Sequence, residues 1–263
     1  MFLGLCGAAG SGKTSVANAM VPQYQALETN DFIIDHKFLA MPLYEMAAIR
    51  RKTQGEKSKD RILYLLHDSL SELFGRSPLY GAPSYSDLVQ LTQDIANLPI
   101  VMDEDVKPRT FLQTAGMMCR EIDEDCFVKW IDRSAKRDSL AAIADDKTYV
   151  CVVSDVRMPN EAKFISEHPN GFLIKFAVSP KVQAERLQKR DGFVMTPEQA
   201  SHVSERIDLI PEEYIAVTID SDGYTVSQQA NLTQKVLSAQ LNDSAPAIDA
   251  TLTNKELHNA QAS

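Results

Sequence analysis

The chain reads as an α/β protein built on a doubly wound parallel sheet with a large helical insertion and lid region. Three observations carry that reading. Short apolar runs that suit buried parallel strands alternate with helical stretches. The first run closes on a glycine-rich turn that leads into a helix. Residues 42–143 are patterned for helices with no clear core strand, an excursion expected over one edge of the sheet.

The first strand is Phe2-Leu3-Gly4-Leu5-Cys6, and Thr14-Ser15-Val16-Ala17-Asn18-Ala19-Met20 is the first helix. After the helical excursion, Tyr149-Val150-Cys151-Val152-Val153-Ser154 is a second strand. A helix from Pro159 to Glu167 follows, with proline in its first turn. Phe172-Leu173-Ile174-Lys175-Phe176 is a third strand. Ser179 and Pro180 then form an N-cap and N1 pair for a helix reaching Lys189. Tyr214-Ile215-Ala216-Val217-Thr218-Ile219 is the fourth strand, ended by the turn Asp220-Ser221-Asp222-Gly223. Nothing in this pattern encodes strand order. Residues 1–241 are expected to form a single domain, and residues 242–263 a polar tail. The tail has no aromatic residue, so it buries too little surface to offset its ordering entropy and is expected to be disordered or weakly helical.

With 263 residues, 44% hydrophobic and 24% charged, the composition excludes collagen-like, disulfide-scaffold and wholly disordered chains. The net charge of −9 and pI near 5.1 supply no overall field for nucleic acid or an anionic membrane, so neither is expected as a partner. Cys6, Cys119, Cys126 and Cys151 form no CxxC pair and read as reduced, buried thiols. No apolar run reaches the roughly 20 residues of a membrane span. The first residues lack the basic flank of a signal peptide, and the expected location is cytoplasmic. A homodimer is left open.

Gly7-Ala8-Ala9-Gly10-Ser11-Gly12-Lys13-Thr14 fits G-x-x-x-x-G-K-[ST] at every fixed position, after a strand and before a helix. Glycines let successive backbone N–H groups turn inward on phosphate oxygens, and the helix N-terminus adds partial positive charge. The loop Gly7, Ala9, Gly10, Ser11, Gly12, Lys13, Thr14 and Ser15 would cradle a nucleotide. Lys13 would neutralise the β- and γ-phosphates and the Thr14 hydroxyl would hold Mg²⁺. The plain alternative is a glycine-rich strand–helix turn with a surface lysine.

One further group sits where ligands bind in open α/β sheets, outside the carboxyl ends of strands. Asp155 ends the second strand, where a Walker-B-like acid reaches Mg²⁺, and Arg157 follows it. The competing reading makes Asp155 a helix cap and pairs Arg157 with Glu161. Arg186 and Arg190 share one helix face before Asp191-Gly192, a candidate hinge. Lid arginines there would neutralise transferring charge and exclude water; a solvated charged face is the alternative. Arg109, Gln113 and Arg120, with Lys129 and Arg133 beyond, lie in amphipathic helices. Arg109 and Arg120 return to one face if Gly116 does not break the helix, close enough to grip one anion. His202 and Glu205 could place an imidazole and a carboxylate near the acceptor. No His/Cys/Asp grouping has zinc-ligand spacing.

Four segments together resemble the bacteriophage deoxynucleoside monophosphate kinases, a branch of the P-loop nucleoside and nucleotide kinases. They are residues 7–17; residues 109–120 continuing to Asp125-Cys126-Phe127-Val128; Val153-Ser154-Asp155-Val156-Arg157-Met158-Pro159-Asn160-Glu161-Ala162; and His202-Val203-Ser204-Glu205 with the strand after it. The resemblance implies a P-loop nucleotide-kinase fold with a lid at about residues 181–205. It implies Mg-ATP as donor and a deoxynucleoside monophosphate as acceptor, in a host cytoplasm. It also implies that Arg109, Gln113, Arg120, Asp155, Arg157, His202 and Glu205 line the acceptor or phosphate region, with Lys13, Arg157, Arg186 and Arg190 catalytic and Thr14 and Asp155 on the metal. Tyr44 stands where relatives carry a lysine. Other readings are a kinase for another small acceptor, such as dephospho-coenzyme A or a nucleoside, and a silent nucleotide-binding regulatory protein.

Overall fold

The computed structural model describes residues 1–25, 31–53, 59–76, 83–103, 106–191 and 201–241. The expected tail at 242–263, and residues 192–200 of the expected lid with Gly192 of its hinge, lie outside them. Five parallel strands form one sheet: β1 (Phe2–Gly7), β2 (Phe32–Lys37), β3 (Thr148–Val156), β4 (Gly171–Ala177) and β5 (Val217–Asp220). Their order is β2-β3-β1-β4-β5, with every neighbouring pair parallel. The chain fills one side of β1 first, then crosses to the other. The carboxyl end of β1 is therefore the topological switch point, where open α/β sheets bind ligands.

Side-chain alternation makes the two faces of the sheet different. Leu3, Leu5, Ile34, Val150, Val152, Ile174, Phe176 and Ile219 form one buried cluster with Val16, Ala17 and Met20 of α1 (Lys13–Gln25). Ala230, Val236 and Leu237 of α9 (Val226–Leu241) complete it. On the other face, α7 (Pro159–Glu167) packs on β1 and β4. A Cβ on Gly4 would stand 2.9 Å from the Ile165 Cδ1 atom of that helix, so glycine permits the close approach. Helices on both faces make the sheet doubly wound, as the alternation of apolar runs predicts. α8 (Pro180–Asp191) starts as expected: Ser179 Oγ accepts from the Val182 N–H at 3.4 Å, with Pro180 at the first helical position.

Two strand expectations are corrected. The sequence reading has four strands, whereas the sheet has a fifth, β2. Only Ile34 of its six residues is buried, because β2 lies at the sheet edge, and half-polar composition hides such a strand from a search for apolar runs. The last strand begins at Val217, not Tyr214. The chain at Glu212–Tyr214 turns as a 3-10 helix, with Tyr214 N–H donating to the Pro211 carbonyl, and joins β4 only at Ala216 N–H to Leu173 O, 2.9 Å.

The chain divides into two compact units, Met1–Lys37 with the chain from Arg137 onward, and Phe38–Lys136. The expected excursion at 42–143 thus ends earlier. Helix α6 (Cys126–Ala144) is continuous across the division, and Asp138 in its last turns pairs with Lys37 at 2.7 Å. The second unit holds α2 (Met41–Lys52), α3 (Lys59–Phe74), α4 (Tyr85–Asn97) and α5 (Arg109–Ile122), with no strand among its described residues. Leu66, Leu70, Ile95, Phe111 and Cys119 form its interior. All four cysteines are free and buried. Among the described residues, no helix is long and apolar enough to cross a membrane.

Candidate functional site: the glycine-rich loop at the end of β1

The loop between β1 and α1 is built on glycines in conformations that L side chains rarely adopt. Gly7 has φ +142° and Gly12 φ +99°, both in the region closed to L side chains. Space forbids a side chain at Gly7 as well, since a Cβ there would lie 2.5 Å from the Phe176 carbonyl oxygen of β4. At Gly12 the obstacle is Gln229 of α9, whose Oε1 would lie 2.9 Å away. Gln229 is buried and anchored, its amide donating to the Ser221 and Tyr224 carbonyls at 3.2 and 3.1 Å. α1 opens at Lys13, and Thr14 and Ser15 in its first turn are exposed, at the positive end of the helix.

Lys13 is the centre of the loop, and it is not a surface lysine. It is only 6% exposed, and its ammonium donates to Gly7 O at 2.6 Å, Ala8 O at 2.9 Å and Ser11 Oγ at 3.2 Å. All three partners are neutral. Burial, and after it the Arg157 guanidinium, pushes the Lys13 ammonium down to about 7, while Glu205 and Asp155 act the other way. Lys13 is thus a buried amine whose hydrogen-bond partners carry no charge, with the Arg157–Glu205 pair nearby.

That charge has a measurable consequence. An anionic ligand favours ammonium over amine, so above the pKa of free Lys13 binding must first take up a proton. The affinity for ADP, measured by calorimetry, is expected to fall above about pH 7, by up to about tenfold per pH unit. Affinity unchanged to pH 9 would remove Lys13 from the anion site.

The end of β3 supplies the charged groups. Between β1 and β3 the register runs Gly4↔Val153 and then Cys6↔Val156, so three steps of β3 span two of β1. This bulge falls at Ser154 and Asp155; bulges re-aim side chains and recur beside active sites. Asp155 lies within β3 and does not cap α7, which follows Met158. The Arg157 guanidinium bonds Glu205 Oε1 at 2.5 Å and Ser204 O at 3.0 Å. Glu161, instead of serving Arg157's guanidinium as the competing reading has it, is buried and accepts the backbone N–H groups of Arg157 and Met158 at 2.9 and 3.0 Å. His202 caps the short turn Val203–Glu205, its Nδ1 accepting from Ser204 N–H at 3.2 Å. Its visible work is to hold the turn that presents Glu205 to Arg157.

Arg186 also belongs to the loop. Its guanidinium donates to Gly10 O at 3.4 Å and to Ser221 O at 2.7 Å, linking α8, the phosphate loop and the turn after β5. Arg190, one turn on, is exposed. So the solvated-face reading fails for Arg186.

In the second unit, α5 runs unbroken through Gly116 and ends at Asp123, so Arg109, Gln113 and Arg120 do share one face. Arg109 is buried; Arg120 lies 4.5 Å from the centre of the Phe127 ring, and its Nη1 reaches Gly116 O at 3.4 Å. These three and the phosphate loop belong to different units.

Among the described residues no three His, Cys, Asp or Glu side chains gather as a metal group. Mg²⁺ on a nucleotide takes one or two protein oxygens and completes its shell with phosphates and water, so an exposed Thr14 hydroxyl and the Asp155 carboxylate are an apt donor set. Sequence reasoning missed Gln229, whose signal is its position early in the helix after the last strand. It also missed His36 on β2, whose Nε2 meets Ser154 Oγ at 2.7 Å.

No protein-family model matches the chain, and no curated protein matches it. Among solved structures, the crystal structure of TT1252 from Thermus thermophilus aligns over 94% of this chain and 98% of its own, at 14% identity and a TM-score of 0.37. That likeness is too slight to bear on function, and the reading of the site rests on its own residues.

Proposed function

We propose that this chain is a P-loop phosphotransferase, a deoxynucleoside monophosphate kinase that moves the ATP γ-phosphate to a monophosphate acceptor. The observation that carries the reading is the Lys13 ammonium, buried in a glycine-built loop at the switch point of a parallel sheet with only neutral partners. A structural turn has no use for a desolvated cation, which costs stability unless an anion joins it.

The chain's work is positioning and charge neutralisation. Loop N–H groups and Lys13 hold the donor phosphates. Thr14, with Ser15 beside it, and Asp155 would hold Mg²⁺, which would neutralise phosphate charge. An acceptor phosphate oxygen attacks the γ-phosphorus, the bond to the bridging oxygen breaks, and ADP leaves. The acceptor is already ionised, so no general base is needed. Arg186 reaches the loop from α8, and Arg157 is near enough to Lys13 to lower its pKa; both would stabilise charge that develops on the transferring group. Arg109, Gln113 and Arg120 are assigned to the acceptor by resemblance, as is the choice of a deoxynucleotide.

The test is ADP release from Mg-ATP across deoxynucleoside and ribonucleoside monophosphates, nucleosides and dephospho-coenzyme A, with a no-acceptor control. Release that needs one or a few deoxynucleotides is the expected result. Release with another acceptor moves the assignment to that kinase. Silence with ADP still bound makes the chain a nucleotide-binding regulatory protein.

A further inference from the structure

We propose that His36 is a positioning residue that braces the Ser154–Asp155 bulge against α1, setting the Asp155 carboxylate for the metal of a bound nucleotide. The inference rests on the phosphate-loop reading and adds a residue to it.

The placement begins with strand alternation. His36 shares its face of β2 with Ile34, the face that meets α1, while Asp35 and Lys37 point to the other. Those neighbours are engaged elsewhere. Lys37 pairs with Asp35 at 2.9 Å and with Asp138 at 2.7 Å, and Asp35 accepts from the Tyr149 hydroxyl at 3.1 Å. His36 is engaged on both sides of its ring. Its Nδ1 meets Asn18 Oδ1 of α1 at 3.0 Å, and its Nε2 meets Ser154 Oγ of β3 at 2.7 Å.

The chemistry of the partners sets the tautomer. An amide oxygen can only accept, so Nδ1–H donates to Asn18, and the neutral ring's Nε2 then accepts from the Ser154 hydroxyl. Burial favours that neutral ring, lowering the His36 pKa against the opposing pull of Asp155 and Asp35. Thus one imidazole ties three elements of the site: the helix that carries Thr14, the edge strand, and the bulge that carries Asp155.

The location of the tie is what gives it function. The β2–β3 ladder is regular up to Lys37↔Val153, and the extra residue of β3 comes directly after it. Beyond Val153 nothing in the ladder with β2 fixes the path of β3, and the His36–Ser154 bond takes over at that point. A carboxylate meant for a metal needs such outer support, since partners of this kind commonly alter metal affinity 10–100-fold.

The experiment measures ADP affinity by calorimetry, with EDTA and with MgCl₂, for the full chain and for His36→Ala, His36→Gln, Asp155→Asn and the His36→Ala/Asp155→Asn double variant. The wild type is expected to bind ADP without metal and more tightly with it. In His36→Ala that magnesium-dependent gain falls about tenfold, while metal-free affinity stays within about twofold. His36→Gln, which keeps a donor and an acceptor, recovers part of the gain. The double variant matches Asp155→Asn, because both changes act on one carboxylate. A full magnesium gain in His36→Ala overturns the proposal and leaves the phosphate loop standing. An equal loss with and without magnesium also overturns it, by making His36 a merely structural residue. Should His36→Ala melt well below the wild type, His36→Gln decides: a metal-selective loss supports the proposal and an unselective one sinks it. A wild type that binds no ADP overturns the phosphate-loop reading itself.

Discussion

Replacing Lys13 with alanine is expected to cut acceptor-dependent ADP release by at least about 10²–10³-fold, the scale of losing one preorganised charge at a transferring group. The fold should survive, and the reason lies in two opposed terms. Removing the ammonium strands Gly7 O, Ala8 O and Ser11 Oγ, at about 1–3 kcal/mol for each that stays dry. It also removes a desolvated cation. The Lys13 pKa is lower folded, at about 7, than the ordinary lysine value of 10.5, so between those values the unfolded chain binds more protons. Wild-type stability therefore rises with pH across that window, by at most about 1.4 kcal/mol per pH unit from this group. The alanine variant lacks that rise. Thermal melts at pH 7 and pH 9.5 thus give a control independent of activity: the wild type gains more on going to high pH than the variant. Near-normal ADP release from Lys13→Ala would end the kinase assignment. An equal pH response in both proteins would deny that Lys13 is a buried cation.

How far the sequence alone reaches depends on how local each feature is. β1, β3, β4 and α7 were legible because each is a contiguous pattern, an apolar run or a proline-started amphipathic turn. The loop was legible because its chemistry lies within eight consecutive residues. β2 was not, since an edge strand need bury only one or two side chains and Phe32-Ile33-Ile34 is too short a run to stand out. His36 was lost with it. The Arg157–Glu205 pair joins residues 48 apart, and sequence proximity pointed to Glu161 instead. Glu161 does serve that corner, through backbone N–H groups that no side-chain pairing rule considers. The β3 bulge was hidden for another reason. A bulge is a relation between two strands, and neither strand carries it alone. By spacing Arg186 and Arg190 are equivalent, and only tertiary contact separates the arginine that reaches Gly10 from the exposed one.

Gly7→Ala should be the most damaging single-methyl change in the phosphate loop. Alanine would have to hold φ near +142°, a region that costs about 1–3 kcal/mol for a residue with a Cβ. Its methyl would also stand 2.5 Å from the Phe176 carbonyl oxygen, on a strand paired along its length with β1, so neither partner can yield cheaply. Overpacking of that kind adds about 1–3 kcal/mol. The combined loss corresponds to a fall in Tm of roughly 5–15 °C for a unit of this size. Gly10→Ala offers the comparison, because its methyl would meet Gln183 O and Leu187 Cγ at 3.3 Å, on α8, where the neighbour must give by only a few tenths of an ångström. Gly7→Ala is therefore expected to melt lower than Gly10→Ala. It should also bind ADP more weakly at temperatures where both are folded, because Gly7 O is the shortest contact of the Lys13 ammonium, at 2.6 Å. Any shift of that carbonyl carries the charge with it. If the two variants melted together and bound ADP alike, the junction of β1 with the loop would not be the fixed point from which Lys13 is placed.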